Sequence, residues 1–191
     1  PALRELPIQD NPTALRFGVR LIEGQVDVLV LMTGVGTTAL FDILKARHPM
    51  SSIMVGVKQA AIVARGPKPV AALKALGIAP TLVVPEPNTW VDVVSTLDEY
   101  RPVKGLRVAV QEYGSSNPEF LEALTARGAD VFPVPVYKWG LPEDLAPLRL
   151  VLGPVFFNNL PLRPGALVWI WWAAGLFKKK KKSKKENYIG K

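Results

Sequence analysis

A chain of 191 residues with a formal charge of +8, no cysteine and one histidine (His48) has room for one large or two small domains, but no disulfide framework and no thiolate or His-rich metal site. The basic balance does not mark a nucleic-acid binder: residues 178–191 carry eight lysines against one glutamate, +7 of the +8, and leave +1 for the first 177 residues.

In chain order, PALRELPIQDNP opens without a methionine or a signal peptide, and Leu3, Leu6 and Ile8 suggest a short extended segment. Asn11-Pro12-Thr13 starts a helix through about Ile22, with Leu15, Val19 and Ile22 on one face. Val26–Met32 (VDVLVLM) is an apolar run broken only by Asp27, with the length and β-branched valines expected of a parallel strand buried on both faces. The glycine loop TGVGTT follows and leads into the helix ALFDILKARH, with Leu40, Ile43 and Leu44 on its face; His48 lies just past its end. Ala60–Ala64 reads as a strand, Arg65-Gly66-Pro67-Lys68 as a turn into the helix PVAALKALG, and TLVVPEP as another strand. Asn88-Thr89 caps the helix WVDVVSTLDEY.

The stretch Gly105–Trp139 shows the same unit most plainly. Leu106, Val108 and Val110 alternate with Arg107, Ala109 and Gln111, the period of a strand. The turn formers YGSSNP then start a helix: Ser116 or Asn117 caps, Pro118 fits the first turn, Glu119 suits the positive end of the helix dipole, and Arg127-Gly128 is the exit. Val131, Val134 and Val136 form a strand broken by Pro133 and Pro135, hence an edge or a linker. Four strand-to-helix steps in about 115 residues predict an α/β fold: an open, mainly parallel sheet with helices on both faces. Ligands of such sheets sit beyond the carboxyl ends of the strands, here the loops Thr33–Thr38, Arg65–Lys68, Glu86–Thr89 and Tyr113–Asn117. Each loop alone is ordinary turn and cap chemistry; four on one sheet edge offer backbone N–H groups and helix N-termini to anions.

Together, DVLVLMTGVGT, ARGPKPVAALKALG, TLVVPEPNTW and LRVAVQEYGSSNPEFLEALTARGADVFPVPVYKW resemble the uroporphyrinogen-III synthase family over about residues 1–150. The resemblance implies two similar flavodoxin-like α/β lobes joined by a pair of linker strands: residues 1–8 as the outgoing strand, 9–131 as a complete lobe, 132–139 as the return strand, and 140–152 as the start of a second lobe that is largely missing. It also implies a monomeric, cytoplasmic, cofactor-free enzyme of tetrapyrrole (heme) biosynthesis. Such an enzyme closes hydroxymethylbilane to uroporphyrinogen III with inversion of the last ring, holding eight carboxylates while a proton donor assists loss of a hydroxyl. On that template Tyr137 is the catalytic candidate, which the residues alone leave equally readable as a packing tyrosine of the linker. Thr33, Gly34, Gly66, Lys68, Asn88, Thr89, Gly114, Ser115 and Ser116 are the substrate-binding candidates. Lys68 stands where many members have threonine. Glu112 lies at a strand end near the site and reads equally as a solvated turn residue.

After Leu150 the sequence departs from the family. Ala166–Phe177 (ALVWIWWAAGLF) is short of the ~20 apolar residues that spanning needs, and a lysine run follows. Residues 153–191 are expected to be a non-family, disordered tail from a frameshift or truncation rather than a membrane anchor, with neither membrane nor nucleic acid as partner. Three functions follow: the cyclase, a tetrapyrrole-sensing module of a winged-helix regulator, or an inactive fragment.

Overall fold

The computed structural model describes residues 4–7, 11–112 and 114–140. The expectations for residues 140–152 beyond Gly140, for the tryptophan cluster Trp169–Trp172 and for the lysine run lie outside them.

The strand Val26–Met32 is realised as β2 (Val28–Leu31), all four residues buried. It pairs in parallel with β3 (Ala61–Ala64) on one side and β5 (Arg107–Gln111) on the other. With β4 (Leu82–Val83) and β6 (Asp130–Val134) they form a five-stranded parallel sheet in the order β4-β3-β2-β5-β6. β4 is two residues long, where TLVVPEP predicted a longer strand; Pro85 and Pro87 cannot donate to a ladder. β6 closes the other edge, a position that tolerates Pro133.

Because alternate residues of β2 point to opposite faces, Leu29 and Leu31 pack with one helical layer and Val28 and Val30 with the other. The first layer holds α1 (Pro12–Ile22), α2 (Gly34–Lys45), α3 (Met50–Gln59) and α4 (Pro67–Ala75). The second holds α5 (Trp90–Tyr100) and α6 (Pro118–Ala126). Burial of each such Leu, Val or Phe side chain is worth about 1.5–3 kcal/mol, so these two layers are what hold the sheet.

Three local differences from the sequence reading have physical causes. α1 buries Ala14, Phe17, Gly18 and Leu21, while Val19 is 44% exposed. Both faces have helical spacing, and the one with the phenylalanine goes inward. α2 begins at Gly34 rather than after Thr38, because Thr33 caps it: its Oγ1 accepts from Gly36 N at 3.0 Å. The glycines of TGVGTT are therefore helical, and they are there for close approach. A Cβ on Gly34 would lie 2.8 Å from the carbonyl oxygen of Lys68, and one on Gly36 would collide with the Gln111 amide. Finally, α3 has no counterpart in the sequence reading. Its serines and β-branched residues are weak helix formers, and Gly56 is in it because a Cβ there would strike the Leu21 carbonyl of α1.

Outside the sheet, β1 (Arg4–Pro7) pairs antiparallel with β7 (Tyr137–Gly140), with Arg4 opposite Gly140 and Pro7 opposite Tyr137. Asn11 fastens the adjoining crossings: its Oδ1 accepts from Ala14 N at 3.0 Å to cap α1, and its Nδ2 donates to Pro135 O at 2.5 Å.

Candidate functional site

All five sheet strands run the same way, so the four loops rich in glycine, hydroxyl and amide residues come out on one edge. Strand order reverses between β2 and β5, and crevices of open α/β sheets form at such a point. Two adjoining grooves open there. The larger, ≈ 810 Å³, lies over α5 and α6, with Met32, Val110, Trp90 and Phe120 as its apolar part and Thr89, Glu112, Ser115 and Ser116 at its polar part. The rings of Trp90 and Phe120 are 6.2 Å apart and tilted by 44°. The smaller, ≈ 350 Å³, lies over α2 and α4 and is lined by Thr33, Gly34, Arg65, Gly66 and Lys68 among others. Met32, Arg65 and Asn88 line both.

The structure therefore brings eight of the ten sequence candidates to these grooves: Thr33, Gly34, Gly66, Lys68 and Asn88 in the smaller, and Asn88, Thr89, Ser115 and Ser116 in the larger. Gly114 is not a lining residue; it supplies a backbone turn at φ 64°, where a side chain would be strained. Tyr137 does not line either groove. It is 2% exposed and lies beneath, with its hydroxyl 3.3 Å from Thr33 Oγ1.

Many polar groups here are already engaged. Thr89 and Asp92 form a capping box, in which the Asp92 carboxylate accepts from Thr89 N (2.7 Å) and Thr89 Oγ1 (2.6 Å). Those bonds from the Thr89 hydroxyl and N–H hold the Asp92 carboxyl below its ordinary value. Asn88, at φ 58°, donates from Nδ2 to Val84 O at 3.0 Å, and its Oδ1 leaves no room for a Cβ on Gly66. Asn117, not Ser116, caps α6, accepting from Phe120 N at 3.1 Å; Ser116 Oγ donates to Glu112 Oε1 at 2.7 Å. Glu112 is thus tied to the rim of the larger groove. Lys68 and Ser115 are both exposed to solvent.

Two residues were not among the site candidates. Arg65, named in the sequence only as the start of the loop Arg65–Lys68, lines both grooves. Gln111, which reads as an ordinary polar position of an alternating strand, is 0% exposed and bonded to both the Met32 and Thr33 amides. Nothing in a strand pattern separates a buried polar residue at a strand end from a solvated one.

The chain is similar to known proteins in three comparisons. Residues 1–150 match the family described as Uroporphyrinogen-III synthase HemD. Uroporphyrinogen III synthase from the extremely thermophilic bacterium Thermus thermophilus superimposes with a TM-score of 0.54 at 30% identity, over 73% of this chain and 50% of that one. A triple mutant of the same enzyme gives a TM-score of 0.56 at 28% identity, over 75% and 52%. A Bacillus subtilis (strain 168) protein of uncharacterised function, YjjA, is 30% identical over 128 residues, 67% of this chain and 47% of its own length. The chain spans about half the length of the relatives it matches.

Proposed function

Since the chain belongs to the uroporphyrinogen-III synthase family, we propose that the grooved sheet edge is one wall of a hydroxymethylbilane cyclase site. The observation that carries this reading is the meeting of four loops and four helix starts over two adjoining grooves, with Tyr137 bonded to Thr33 just below. The chemistry of the two grooves differs in a way that suits a tetrapyrrole. The smaller combines Arg65 and Lys68 with the start of α2, and favours side-chain carboxylates. The larger has Trp90, Phe120, Met32 and Val110, and favours the flat face of a pyrrole ring. Glu112 and Glu119 on that groove would repel a carboxylate, which reinforces the division of labour.

In this reading the protein's contribution is orientation, which can supply ~7–11 kcal/mol, together with proton donation to the departing hydroxyl. Tyr137 is the proposed donor; it lines neither groove itself, and its proton reaches the smaller one through Thr33 Oγ1, which does. The enzyme acts as a cytoplasmic monomer without cofactor, as the family resemblance implies. The regulator alternative has no support in the family match or the structural relatives.

The test grafts residues 1–140 in place of the matching lobe of the Thermus thermophilus synthase, supplies hydroxymethylbilane and resolves the products by chromatography. The graft should yield the type III isomer, its Tyr137→Phe variant should be slower by about 10²-fold, and the 191-residue chain alone should yield little type III. A graft that folds but gives only type I would overturn the reading. Efficient type III formation by the chain alone would remove the one-wall element of it.

A further inference from the structure

We propose that Gln111 is a positioning residue of the site, holding the Met32–Thr33 turn of β2 so that Thr33 Oγ1 meets the Tyr137 hydroxyl. The inference rests on the reading of Tyr137 given above. Gln111 ends β5 and is fully buried between β5 and the start of α2. Its Oε1 accepts from two successive amides of the neighbouring strand end, Met32 N at 3.2 Å and Thr33 N at 3.1 Å. Its Nε2 donates to the carbonyl of Glu112. One side chain thus ties the end of β2 to the end of β5 at the point where strand order reverses.

The packing allows this amide little alternative. Gly36, in the first turn of α2, lies against it so closely that a Cβ there would collide with the whole amide group. The same turn is capped by Thr33, whose Oγ1 accepts from Gly36 N at 3.0 Å and lies 3.3 Å from the Tyr137 hydroxyl. The links run in series: Gln111 fixes the Thr33 backbone, the Thr33 backbone aims Oγ1, and Oγ1 meets the tyrosine. A neutral amide does this without placing a fixed charge under grooves proposed to take anions, where a carboxylate would repel the ligand and a cation would compete with Arg65 and Lys68 for it.

The experiment uses the full 191-residue chain with ¹³Cζ-labelled tyrosine, and follows the Tyr137 resonance by NMR. Gln111→Met keeps the volume and removes all three hydrogen bonds. It should move the Tyr137 resonance in the direction that Thr33→Val moves it, and speed exchange of the Gly36 amide by about tenfold or more. Asp27→Asn, at the opposite end of β2, should lower stability while leaving that resonance in place. Gly36→Ala is the second variant: it removes no polar group, but its methyl pushes on the Gln111 amide and should shift Tyr137 likewise. In the unaltered chain the Met32 and Thr33 amides should exchange as slowly as those of β2. A Gln111→Met or Gly36→Ala chain that folds with Tyr137 unmoved overturns the proposal, as does rapid exchange at Met32 or Thr33. Failure of the tetrapyrrole reading shows separately: uroporphyrinogen III would then move no resonance of the unaltered chain, whatever the Gln111 variants do.

Discussion

The same two strands, β2 and β5, are tied together at both ends, and the two ties are of opposite kinds. At the amino edge Asp27 Oδ2 accepts from Arg107 N at 2.8 Å and Nε at 2.9 Å, Oδ1 accepts from Nη2 at 2.8 Å, and Nη2 also donates to Gly24 O at 2.9 Å. This is a bidentate charge pair left partly open to water, with the Arg107 and Asp27 side chains 43% and 27% exposed. At the carboxyl edge Gln111 makes a comparable set of bonds while buried and neutral. An ion pair is a good clamp where nothing else binds. Under the grooves a charge would interact with any anionic ligand, and a buried amide clamps without doing so. The cost is that a buried amide has no water to replace its partners when they are lost.

That contrast predicts a ranking of stabilities, measured by urea unfolding. Gln111→Met should lose most, about 3 kcal/mol, because two buried N–H groups and a carbonyl are left without partners. A loss below about 0.5 kcal/mol would break the comparison. Asn11→Ala should follow at about 1.5 kcal/mol: Asn11 is another buried amide, 5% exposed, and the substitution removes both the α1 cap and the bond to Pro135.

Asp27→Asn should cost about 1 kcal/mol at neutral pH, discounted for the exposure of its partner. The Arg107 side chain holds the Asp27 carboxyl down from 3.8 to about 2. A carboxyl depressed in the folded state contributes stability that is fully present above its unfolded pKa and is lost as pH falls through its folded one. The difference between the parent chain and Asp27→Asn should therefore be constant above about pH 5 and close between about pH 4 and about pH 2. A difference that grows on acidification would contradict this assignment. The smallest effect belongs to Asp98→Asn. Asp98 pairs with Arg127 across α5 and α6 at 2.7 Å, the Arg127 and Asp98 side chains 37% and 47% exposed, so the loss should stay under about 0.5 kcal/mol and vanish in about 1 M salt.

Much of this architecture was legible in the residues. The apolar run of β2 announced a strand covered on both faces, and the alternation of β5 read directly, while the start of α6 at Pro118 was legible with its cap left open between Ser116 and Asn117. Where reading failed, the missing information was spatial. Gly34 and Gly36 look like a flexible loop, yet they are helical glycines whose absent side chains admit Lys68 and Gln111. α3 has no leucine at all, and its place depends on Gly56 fitting against α1. At the site, hydroxyl and amide residues at strand ends were found because turn chemistry concentrates them there. Gln111 was not, since a strand's period says which face a residue takes and not whether that face has water. Tyr137 came from family resemblance alone; its contact with Thr33 spans 104 residues of sequence, beyond any local pattern.

Anions of a tetrapyrrole are proposed to bind the carboxyl edge of the sheet and to leave the amino edge untouched. The most direct test is to titrate uroporphyrinogen III, under exclusion of oxygen, into the ¹⁵N-labelled 191-residue chain and follow backbone amides. Shifts are expected at Thr33, Lys68 and Ser115 and none at Asp27 or Arg107; shifts confined to the amino edge, or no shifts at ligand saturation of the solution, would contradict this binding mode.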